Sequence, residues 1–275
     1  MTERILMLGN GYMGRAFSAE CQRRGLEFCV ATRENNRYDD PECFYDMLSA
    51  TRPTLVIGAA AWCPVPSVDL CKHDLGRAIE ANALLPLMLA KACERFGIPF
   101  CQLSTGCQFD EKKEYEETNL PTRGWQGYCG TYVGSKQLGE KLLADFEQVY
   151  ILRLRLPFDE FDHSRNYLSK LASFPKVFDH VNSLTHRGDF VKAALDLWRL
   201  RAPFGTYHVA CEGQVSARTV MMGMLSRALV KYCPEFVESE TAGCRLSVEK
   251  LKAAGVKVRH VDEALQEALD NWKKL

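Results

Sequence analysis

Two short stretches of the sequence carry side chains that could transfer protons. The stretch STGCQF (104–109) places the hydroxyl of Thr105 two residues before the thiol of Cys107, at the predicted end of a buried strand. The stretch TYVGSK (131–136) places Tyr132 and Lys136 four residues apart. On a helix, that spacing brings the two Cβ atoms to roughly 6 Å on one face. These residue types predict acid–base chemistry on a substrate.

The tyrosine and the thiol would do different work. A lysine ammonium beside a phenol favours the phenolate, so such a phenol ionises below its ordinary pKa of about 10. This pairing would let Tyr132 act as a general acid near neutral pH, with the Thr105 hydroxyl nearby. A thiol ionises near pH 8.5 and becomes a usable base when cations lie close. Cys107 is therefore either a proton-transfer group or a small packing residue.

A glycine-rich turn near the start of the chain predicts a dinucleotide site. The stretch LMLGNGYMGRAF (6–17) places Gly9, Gly11 and Gly14 as GxGxxG between an apolar run and a helical pattern. In such turns the first glycine permits the tight turn, the second lets the backbone approach a pyrophosphate, and the third lets helix and strand pack closely. The helix N-terminus then offers amide groups to phosphates. The predicted cofactor-binding residues are Gly9, Gly11, Tyr12, Met13, Gly14, Thr32, Arg33, Ala59, Ala60, Tyr132 and Lys136.

The end of the second predicted strand discriminates between dinucleotides. The stretch VATRENN (30–36) carries Thr32 and Arg33 where NAD sites usually place an acidic residue. A guanidinium matches a 2′-phosphate in a fork geometry, so the sequence favours NADP(H). Glu34 follows directly and keeps NAD(H) as the alternative.

The elements that must position these residues follow from the apolar pattern. Apolar runs that predict strands lie at 4–9, 27–33, 54–60, 98–104, 149–155 and 205–210. Helical patterns alternate with them at 14–25, 41–53, 74–97, 130–146 and 190–201, with a bend expected at Pro86. This alternation predicts an α/β fold of the Rossmann type, a doubly wound parallel sheet with a smaller C-terminal substrate lobe. We expect the NADP-binding core in 1–156, with further elements from 184–210, and the substrate lobe in 157–183 and 211–275.

Composition excludes several classes of function. The 275 residues carry 35 basic and 35 acidic side chains, so no charge excess indicates nucleic acid or a membrane surface as a partner. The twelve cysteines contain no CxxC pair and the six histidines no HExxH spacing, so no metal site is predicted. No apolar stretch approaches the ~20 residues of a membrane span, and the N-terminus lacks the layout of a signal peptide. A cytoplasmic protein with reduced thiols is expected.

With these motifs in place, the sequence resembles the extended short-chain dehydrogenase/reductase family. The glycine turn, Thr105 and the Tyr132/Lys136 pair match its cofactor loop and Ser/Thr–Tyr–Lys triad in order, and Asn82 corresponds to the family's Asn in the long helix before the fourth strand. Within the family, the sequence is similar to the UDP-4-keto-6-deoxyglucose 3,5-epimerase/4-reductases, which make UDP-rhamnose. The stretches that carry this similarity are VPSVDLC (65–71), STGCQF (104–109), LRLRLPF (152–158), SRNYLSKLASFPKVF (164–178) and VNSLTH (181–186).

The resemblance implies a bifunctional enzyme. It would epimerise and then reduce an NDP-4-keto-6-deoxyhexose, with UDP-4-keto-6-deoxyglucose favoured, to NDP-rhamnose with NADPH as hydride donor. Cys107 and Lys176 would be the base and acid of epimerisation, while Tyr132 and Thr105 hold the carbonyl oxygen. Arg165 and Asn166 are expected to bind the nucleotide sugar, with helix capping as the alternative role.

Two other functions stay open at this point. Single-function dTDP-4-dehydrorhamnose reductases share the architecture but typically lack a cysteine at the position of Cys107, so an inert Cys107 would make this chain a reductase alone. Some proteins of this fold bind a dinucleotide as non-catalytic regulatory subunits. The intact Tyr132 and Lys136 argue against that second alternative. A homodimer through the helices that flank the sheet is common for this fold.

Overall fold

The computed structural model describes residues 3–109, 113–237 and 243–273. The chain divides into two compact units. The first consists of Met1–Thr105, Arg123–Arg153 and Ala194–Tyr207, and the second of Gly106–Thr122, Leu154–Ala193 and His208–Leu275. Residues 106–122, which the apolar pattern placed in the dinucleotide-binding core, thus group with the second unit.

The strands and helices follow the predicted alternation over the first half of the chain. The strands are β1 (Arg4–Leu8), β2 (Glu27–Ala31), β3 (Leu55–Gly58), β4 (Phe100–Thr105), β5 (Glu114–Tyr115), β6 (Val149–Leu154), β7 (Pro157–Phe158), β8 (Lys176–Phe178), β9 (Val181–Asn182), β10 (Thr185–His186), β11 (Gly205–His208), β12 (Val215–Ser216), β13 (Glu235–Val237) and β14 (Arg245–Leu246). The helices are α1 (Tyr12–Arg23), α2 (Arg33–Asn36), α3 (Pro41–Thr51), α4 (Leu75–Ile79), α5 (Leu85–Arg95), α6 (Gly130–Leu143), α7 (Tyr167–Ser173), α8 (Arg187–Arg199), α9 (Ala217–Ser226), α10 (Glu249–Ala253) and α11 (Val261–Asp270).

A six-stranded parallel sheet confirms the predicted Rossmann-type fold. Its order is β11-β6-β4-β3-β1-β2, and the pairs β1–β2, β1–β3 and β3–β4 are parallel. All four residues of β3 and all six of β4 are buried. Strands covered on both faces need apolar side chains at every position, which explains the continuous apolar runs of the sequence.

The long helix predicted at 74–97 is confirmed, and it contains an irregular turn just before the proline at which a bend was expected. A π-helical turn, Glu80–Leu84, separates α4 from α5. A bend was predicted at Pro86, which lies in the first turn of α5 directly after the π-helical turn. A proline cannot donate to the carbonyl four residues earlier and its ring crowds that carbonyl, which here belongs to Asn82 inside the π-helical turn. A π-helical turn lets one extra residue bulge from a helix and is frequent at functional sites.

The second unit has its own apolar core. Helices α7, α9 and α11 contribute buried side chains that pack together, among them Leu168, Val220, Met224 and Leu265. Four two-stranded sheets, β7–β10, β9–β12, β8–β13 and β5–β14, complete the described part of this unit. A small separate cluster joins Phe109 and Tyr115 to Cys244 and Leu246.

Two further findings concern membrane-spanning helices and disulfide bonds. Among the described helices, none combines the length and the apolar character needed to cross a bilayer. The cysteines of the described residues form no disulfide bond with one another.

Candidate active site

The glycine turn has the geometry that its spacing predicts. Gly9 follows β1 with φ +102°, a conformation that side-chain-bearing residues rarely adopt. A Cβ atom on Gly14 would lie 2.1 Å from the carbonyl oxygen of Gly9, so the third position must be glycine for α1 to pack on the turn. A Cβ atom on Gly11 would meet nothing within 4 Å. The second glycine therefore faces open space, where a pyrophosphate could approach.

The turn lies at the point where the strand order of the sheet reverses. From β1 the chain passes to β2 on one side and then to β3 on the other, and ligands of such sheets bind outside the carboxyl ends of the strands at this point. Ala59 and Ala60 directly follow β3, and a Cβ atom on Gly9 would lie 3.1 Å from the amide nitrogen of Ala60. The two predicted parts of the cofactor site therefore adjoin.

The first residues of α1 complete this part of the site. Gly11 is the N-cap, and it carries no side chain that could compete with a phosphate for the amides of the first turn. Tyr12 is buried and Met13 is half-buried.

The residues that follow β2 leave a guanidinium near solvent. Thr32 caps α2, and its Oγ1 accepts a hydrogen bond of 3.3 Å from the amide of Asn35. Arg33 is exposed, and its Nε lies 3.9 Å from a carboxylate oxygen of Asp39. An exposed ion pair of this length contributes little, so a phosphate could replace the carboxylate as the partner of Arg33.

Lys136 is tied to the strand that Thr105 ends. Its Nζ donates a hydrogen bond of 3.0 Å to the carbonyl oxygen of Leu103 in β4. Lys136 and Thr105 are both buried, whereas Tyr132, one turn earlier on α6, is half-buried. Burial lowers the pKa of Lys136 to about 8, because a charged amine loses hydration in the interior. The lysine thus titrates close to neutral pH.

Asn82 lies in the π-helical turn and holds two other segments of the first unit. Its Oδ1 accepts a hydrogen bond of 2.8 Å from the amide of Trp62, and its Nδ2 donates to Trp62 O at 3.1 Å and to Ser135 Oγ at 3.1 Å. Ser135 in turn donates to the carbonyl oxygen of Tyr132. A Cβ atom on Gly139 would lie 2.4 Å from the carbonyl oxygen of Asn82, so α6 approaches the π-helical turn closely.

Sequence reasoning missed a buried network behind these residues. Ser104 of β4 donates to a carboxylate oxygen of Glu140 on α6, and Glu140 pairs with Arg153 of β6 at 2.6 Å. The side chains of Glu140 and Arg153 are nearly buried, where a paired charge costs far less than an unpaired one. The network fixes α6, and with it Tyr132 and Lys136, against the sheet. An arginine inside an otherwise apolar run was the available signal.

In the second unit, Cys107 contacts a cation that the sequence analysis did not single out. Nη1 of Arg155 donates a hydrogen bond of 2.8 Å to Sγ of Cys107, which is half-buried. Nη2 of the same guanidinium donates to Oδ1 of Asn182 at 2.9 Å. The second arginine of LRLRLPF, Arg155, is a charged residue in an otherwise apolar run and could have been noticed. Its partner Cys107 lies 48 positions away, so the sequence alone does not reveal the contact.

The structure places Lys176 in a surface ion pair. Its side chain is 67% exposed, and Nζ lies 2.8 Å from Oε2 of Glu235, the residue that faces it across the β8–β13 pair. Its role as the acid of epimerisation stays a prediction. To act as that acid, the ammonium group of Lys176 would have to break its ion pair with Glu235.

Arg165 and Asn166 have different surroundings. Asn166 is fully buried and caps α7, and its Nδ2 donates to oxygens of Asp159 and Phe161. Helix capping, the alternative role named for these two residues, is therefore the role that Asn166 has in the structure. Arg165 is half-buried, and its amide donates to Nδ1 of His163 at 3.1 Å. Substrate binding by either residue stays a prediction. Within the described residues, no three or more His, Cys, Asp or Glu side chains are grouped so as to hold a metal ion.

Comparison with known proteins assigns the chain to a family. The sequence pattern of the RmlD substrate binding domain matches residues 3–274. The chain is 25% identical, over 77% of its length and 70% of the relative's, to the bifunctional dTDP-4-dehydrorhamnose 3,5-epimerase/dTDP-4-dehydrorhamnose reductase of Arabidopsis thaliana. It spans 32% of the length of longer trifunctional relatives from the same plant.

Solved structures share the fold. The UDP-rhamnose synthase of Acanthamoeba polyphaga mimivirus superposes with a TM-score of 0.88 at 21% identity, covering 98% of this chain and 100% of that one. The dTDP-4-dehydrorhamnose reductase of Bacillus anthracis in complex with NADP gives 0.82 at 20% identity, covering 99% and 98%. These likenesses confirm the fold, and the match over nearly the whole sequence confirms the predicted relationship: the chain belongs to the RmlD substrate binding domain family.

Proposed function

We propose that this protein is an NADPH-dependent oxidoreductase that reduces the 4-keto group of an NDP-4-keto-6-deoxyhexose and first epimerises carbons 3 and 5 of the same sugar. The favoured substrate is UDP-4-keto-6-deoxyglucose and the product NDP-rhamnose. The single observation that carries the epimerase half is the contact of 2.8 Å between the Arg155 guanidinium and the Cys107 sulfur.

The reductase half is supported by the first unit and by the relatives. Relatives over most of the chain include reductases of dTDP-4-dehydrorhamnose. The glycine turn fits a pyrophosphate, and Lys136 is held on the face of α6 that also carries Tyr132. When bound, NADPH supplies the hydride to carbon 4. Tyr132 then donates its proton to the alkoxide oxygen that forms there, and Thr105 donates a hydrogen bond to the same oxygen.

The preference for NADPH over NADH is supported by two observations. The solved Bacillus anthracis reductase is in complex with NADP. In this chain Arg33 is exposed after β2 and its Nε lies at a loose 3.9 Å from the carboxylate of Asp39, so its fork of donors can receive a 2′-phosphate.

The epimerase half follows from the chemistry of a ketone. Protons on carbons 3 and 5 are acidic because both carbons flank the carbonyl, and the anion delocalises onto its oxygen. The Cys107 thiolate removes such a proton, and an acid returns one to the opposite face. Hydride addition at carbon 4 ends this acidity, so epimerisation must come before reduction.

Deuterium exchange tests the epimerase half. The purified protein is incubated in D₂O with a 4-keto-6-deoxy sugar nucleotide and no NADPH, and the label at carbons 3 and 5 is read by NMR. We expect label at both carbons with the native protein and with Cys233→Ala, which removes an exposed thiol. Loss of the label in Cys107→Ala would support the proposal. Absence of label with the native protein, while NADPH is still consumed, would reject the epimerase half.

The single-function reductase remains the second candidate, because Lys176 is exposed and already paired with Glu235. That candidate predicts no exchange and full reduction of a ketone that has already been epimerised. A protein that binds NADPH but leaves its absorbance unchanged with either ketone would instead be a regulatory subunit.

A further inference from the structure

We propose that Arg155 is a positioning residue that holds the sulfur of Cys107 in the thiolate form and fixes its direction. The inference deepens the proposed function, since it rests on Cys107 being the base of epimerisation. It concerns a residue for which the motifs of the sequence gave no role.

The first support is the contact itself. Nη1 of Arg155 donates to Sγ of Cys107 at 2.8 Å, so guanidinium and sulfur are in direct contact. A guanidinium has donors and no acceptor, so the sulfur must be the acceptor in this contact. A thiolate accepts such a bond far better than a thiol, and the arginine remains charged across the whole working range of pH.

The second support is that the guanidinium cannot easily turn away. The backbone of Arg155 is pinned to Thr185: its amide donates to Thr185 Oγ1 at 2.9 Å, and its carbonyl oxygen accepts from the Thr185 amide at 2.8 Å. At the far end of the side chain, Nη2 donates to Oδ1 of Asn182, a buried residue whose Oδ1 also accepts from the amide of Cys244. Both ends of Arg155 are therefore held.

The third support is the charge balance around Arg155. Nε of Arg155 is buried without a hydrogen-bond partner among the described residues, and no ion pair with a carboxylate is formed there. Burial alone would lower the pKa of Arg155, but its neighbours Cys107, Cys244 and Tyr167 together more than offset burial and the pKa is raised. Of these three, Cys107 is the group to which the guanidinium donates a hydrogen bond.

Other titratable groups near Arg155 do not supply it with a negative charge at neutral pH. Burial raises the pKa of Tyr167, so its phenol stays protonated. Cys244 donates its proton to the carbonyl oxygen of Gly106 at 3.1 Å, so it is a thiol. Burial and the charge of Arg155 lower the pKa of His180, which is therefore neutral, and the carboxylate of Asp179 is taken up by Arg218.

Alkylation as a function of pH tests the inference directly. Iodoacetamide reacts with thiolates, and the tryptic peptide that spans residues 96–112 contains both Cys107 and Cys101, which mass spectrometry can distinguish. Cys101 is an internal control, because burial raises its pKa to about 12 and keeps it unreactive while the protein is folded. In the native protein we expect half-alkylation of Cys107 below about pH 8.

Three variants separate charge from structure. Arg155→Gln should raise the pH of half-alkylation by about 1 to 3 pH units, the usual effect of removing an adjacent opposite charge. Arg155→Lys should restore most of the native profile, since it keeps a cation. Asn182→Ala should give a smaller shift in the same direction, because it frees the guanidinium without removing it. Arg199→Gln, which breaks an exposed pair with Glu3, is the matched control and should leave the profile unchanged.

The outcomes distinguish this inference from the proposed function. An unchanged alkylation profile in folded Arg155→Gln, with Cys101 still protected, overturns the role of Arg155 even if deuterium exchange occurs. If Arg155→Gln exposes Cys101, Asn182→Ala decides, and a native profile in that variant overturns the inference. If the alkylation profile shifts in Arg155→Gln but the native protein never exchanges deuterium, Arg155 does control the ionisation of Cys107 and the epimerase activity is rejected.

Discussion

The lysine of the first unit and the thiol of the second lie in surroundings that act on their charge in opposite ways. Lys136 is buried beside a backbone carbonyl, and loss of hydration lowers its pKa to about 8. Cys107 contacts a guanidinium, which favours its charged form. Burial makes an amine more neutral, whereas a counter-charge makes a thiol more ionised. The difference predicts that reduction and proton exchange depend on different residues and respond to pH in opposite directions.

The largest expected effect separates the two activities through the phenol. Tyr132→Phe removes the proposed general acid, so the rate of NADPH oxidation should fall by about 10² to 10⁴-fold, while most deuterium exchange at carbons 3 and 5 continues. Tyr232→Phe, which alters an exposed phenol, is the control and should behave as the native protein. Equal loss of both activities in folded Tyr132→Phe would contradict separate roles.

The reciprocal substitution should give the mirror image. Cys107→Ala removes the proposed base, so exchange should fall by about 10² to 10⁴-fold. A ketone that has already been epimerised should still be reduced at close to the native rate, because the first unit is untouched. The measurement is stopped-flow absorbance of NADPH with that ketone, and a matching loss of reduction would show that the thiol also serves the hydride step.

The pH dependence should separate the units further. Below about pH 8 the Lys136 amine is charged and supports the phenol, and above it the amine is neutral. We therefore expect kcat/KM for reduction to fall about tenfold per pH unit above that value, while exchange, which needs the thiolate, holds level or rises. Parallel profiles of the two activities from pH 7 to 10 would contradict this view of Lys136.

A smaller effect concerns the glycine turn. Gly14→Ala would place a Cβ atom against the carbonyl oxygen of Gly9 and should lower the free energy of unfolding by about 1 to 3 kcal/mol. Gly11→Ala has room and should leave that stability unchanged, yet weaken NADPH binding about tenfold, since the methyl group would occupy the approach of the pyrophosphate. Thermal denaturation without cofactor and a fluorescence titration with NADPH measure the two effects. Equal stability of the two variants would be inconsistent with the close packing at Gly14.

The smallest effect should come from the exposed guanidinium after β2. Arg33→Ala should raise KM for NADPH by about five- to tenfold, a loss near 1 kcal/mol that is typical of a solvent-exposed charged contact. The KM for NADH, which lacks the 2′-phosphate, is the internal control and should barely change. A similar rise for both cofactors would show that Arg33 does not read the 2′-phosphate.

The sequence could predict those parts of the site whose geometry is set by residues close together in the chain. The turn at Gly9 and Gly14 is dictated by backbone sterics, and the sheet by continuous apolar runs, so both follow from short stretches of sequence. Tyr132 and Lys136 lie on one helix, and the spacing between them defines a common face.

The parts that escaped prediction depend on residues far apart in the chain. The pair of Glu140 with Arg153 and the contact of Arg155 with Cys107 are set by how the elements pack, and no short pattern encodes either. Pro86 signalled an irregular helix, because it cannot donate to the carbonyl of Asn82, but the sequence alone did not show that the irregularity takes the form of a π-helical turn.

That extra residue in the long helix makes the helix sensitive to its length at one place. Deleting a single residue from Glu80–Leu84 would replace the π-helical turn by a tighter α-helical one, while α4 and α5 keep their mutual orientation because the turn only accommodates one extra residue. Within the turn, the remaining side chains would shift by up to one position, about 100° around the helix axis. Asn82 would then swing away from Trp62 and Ser135. The irregular turn therefore supplies a contact to α6, the helix that carries Tyr132, which a regular helix of one residue less would lose.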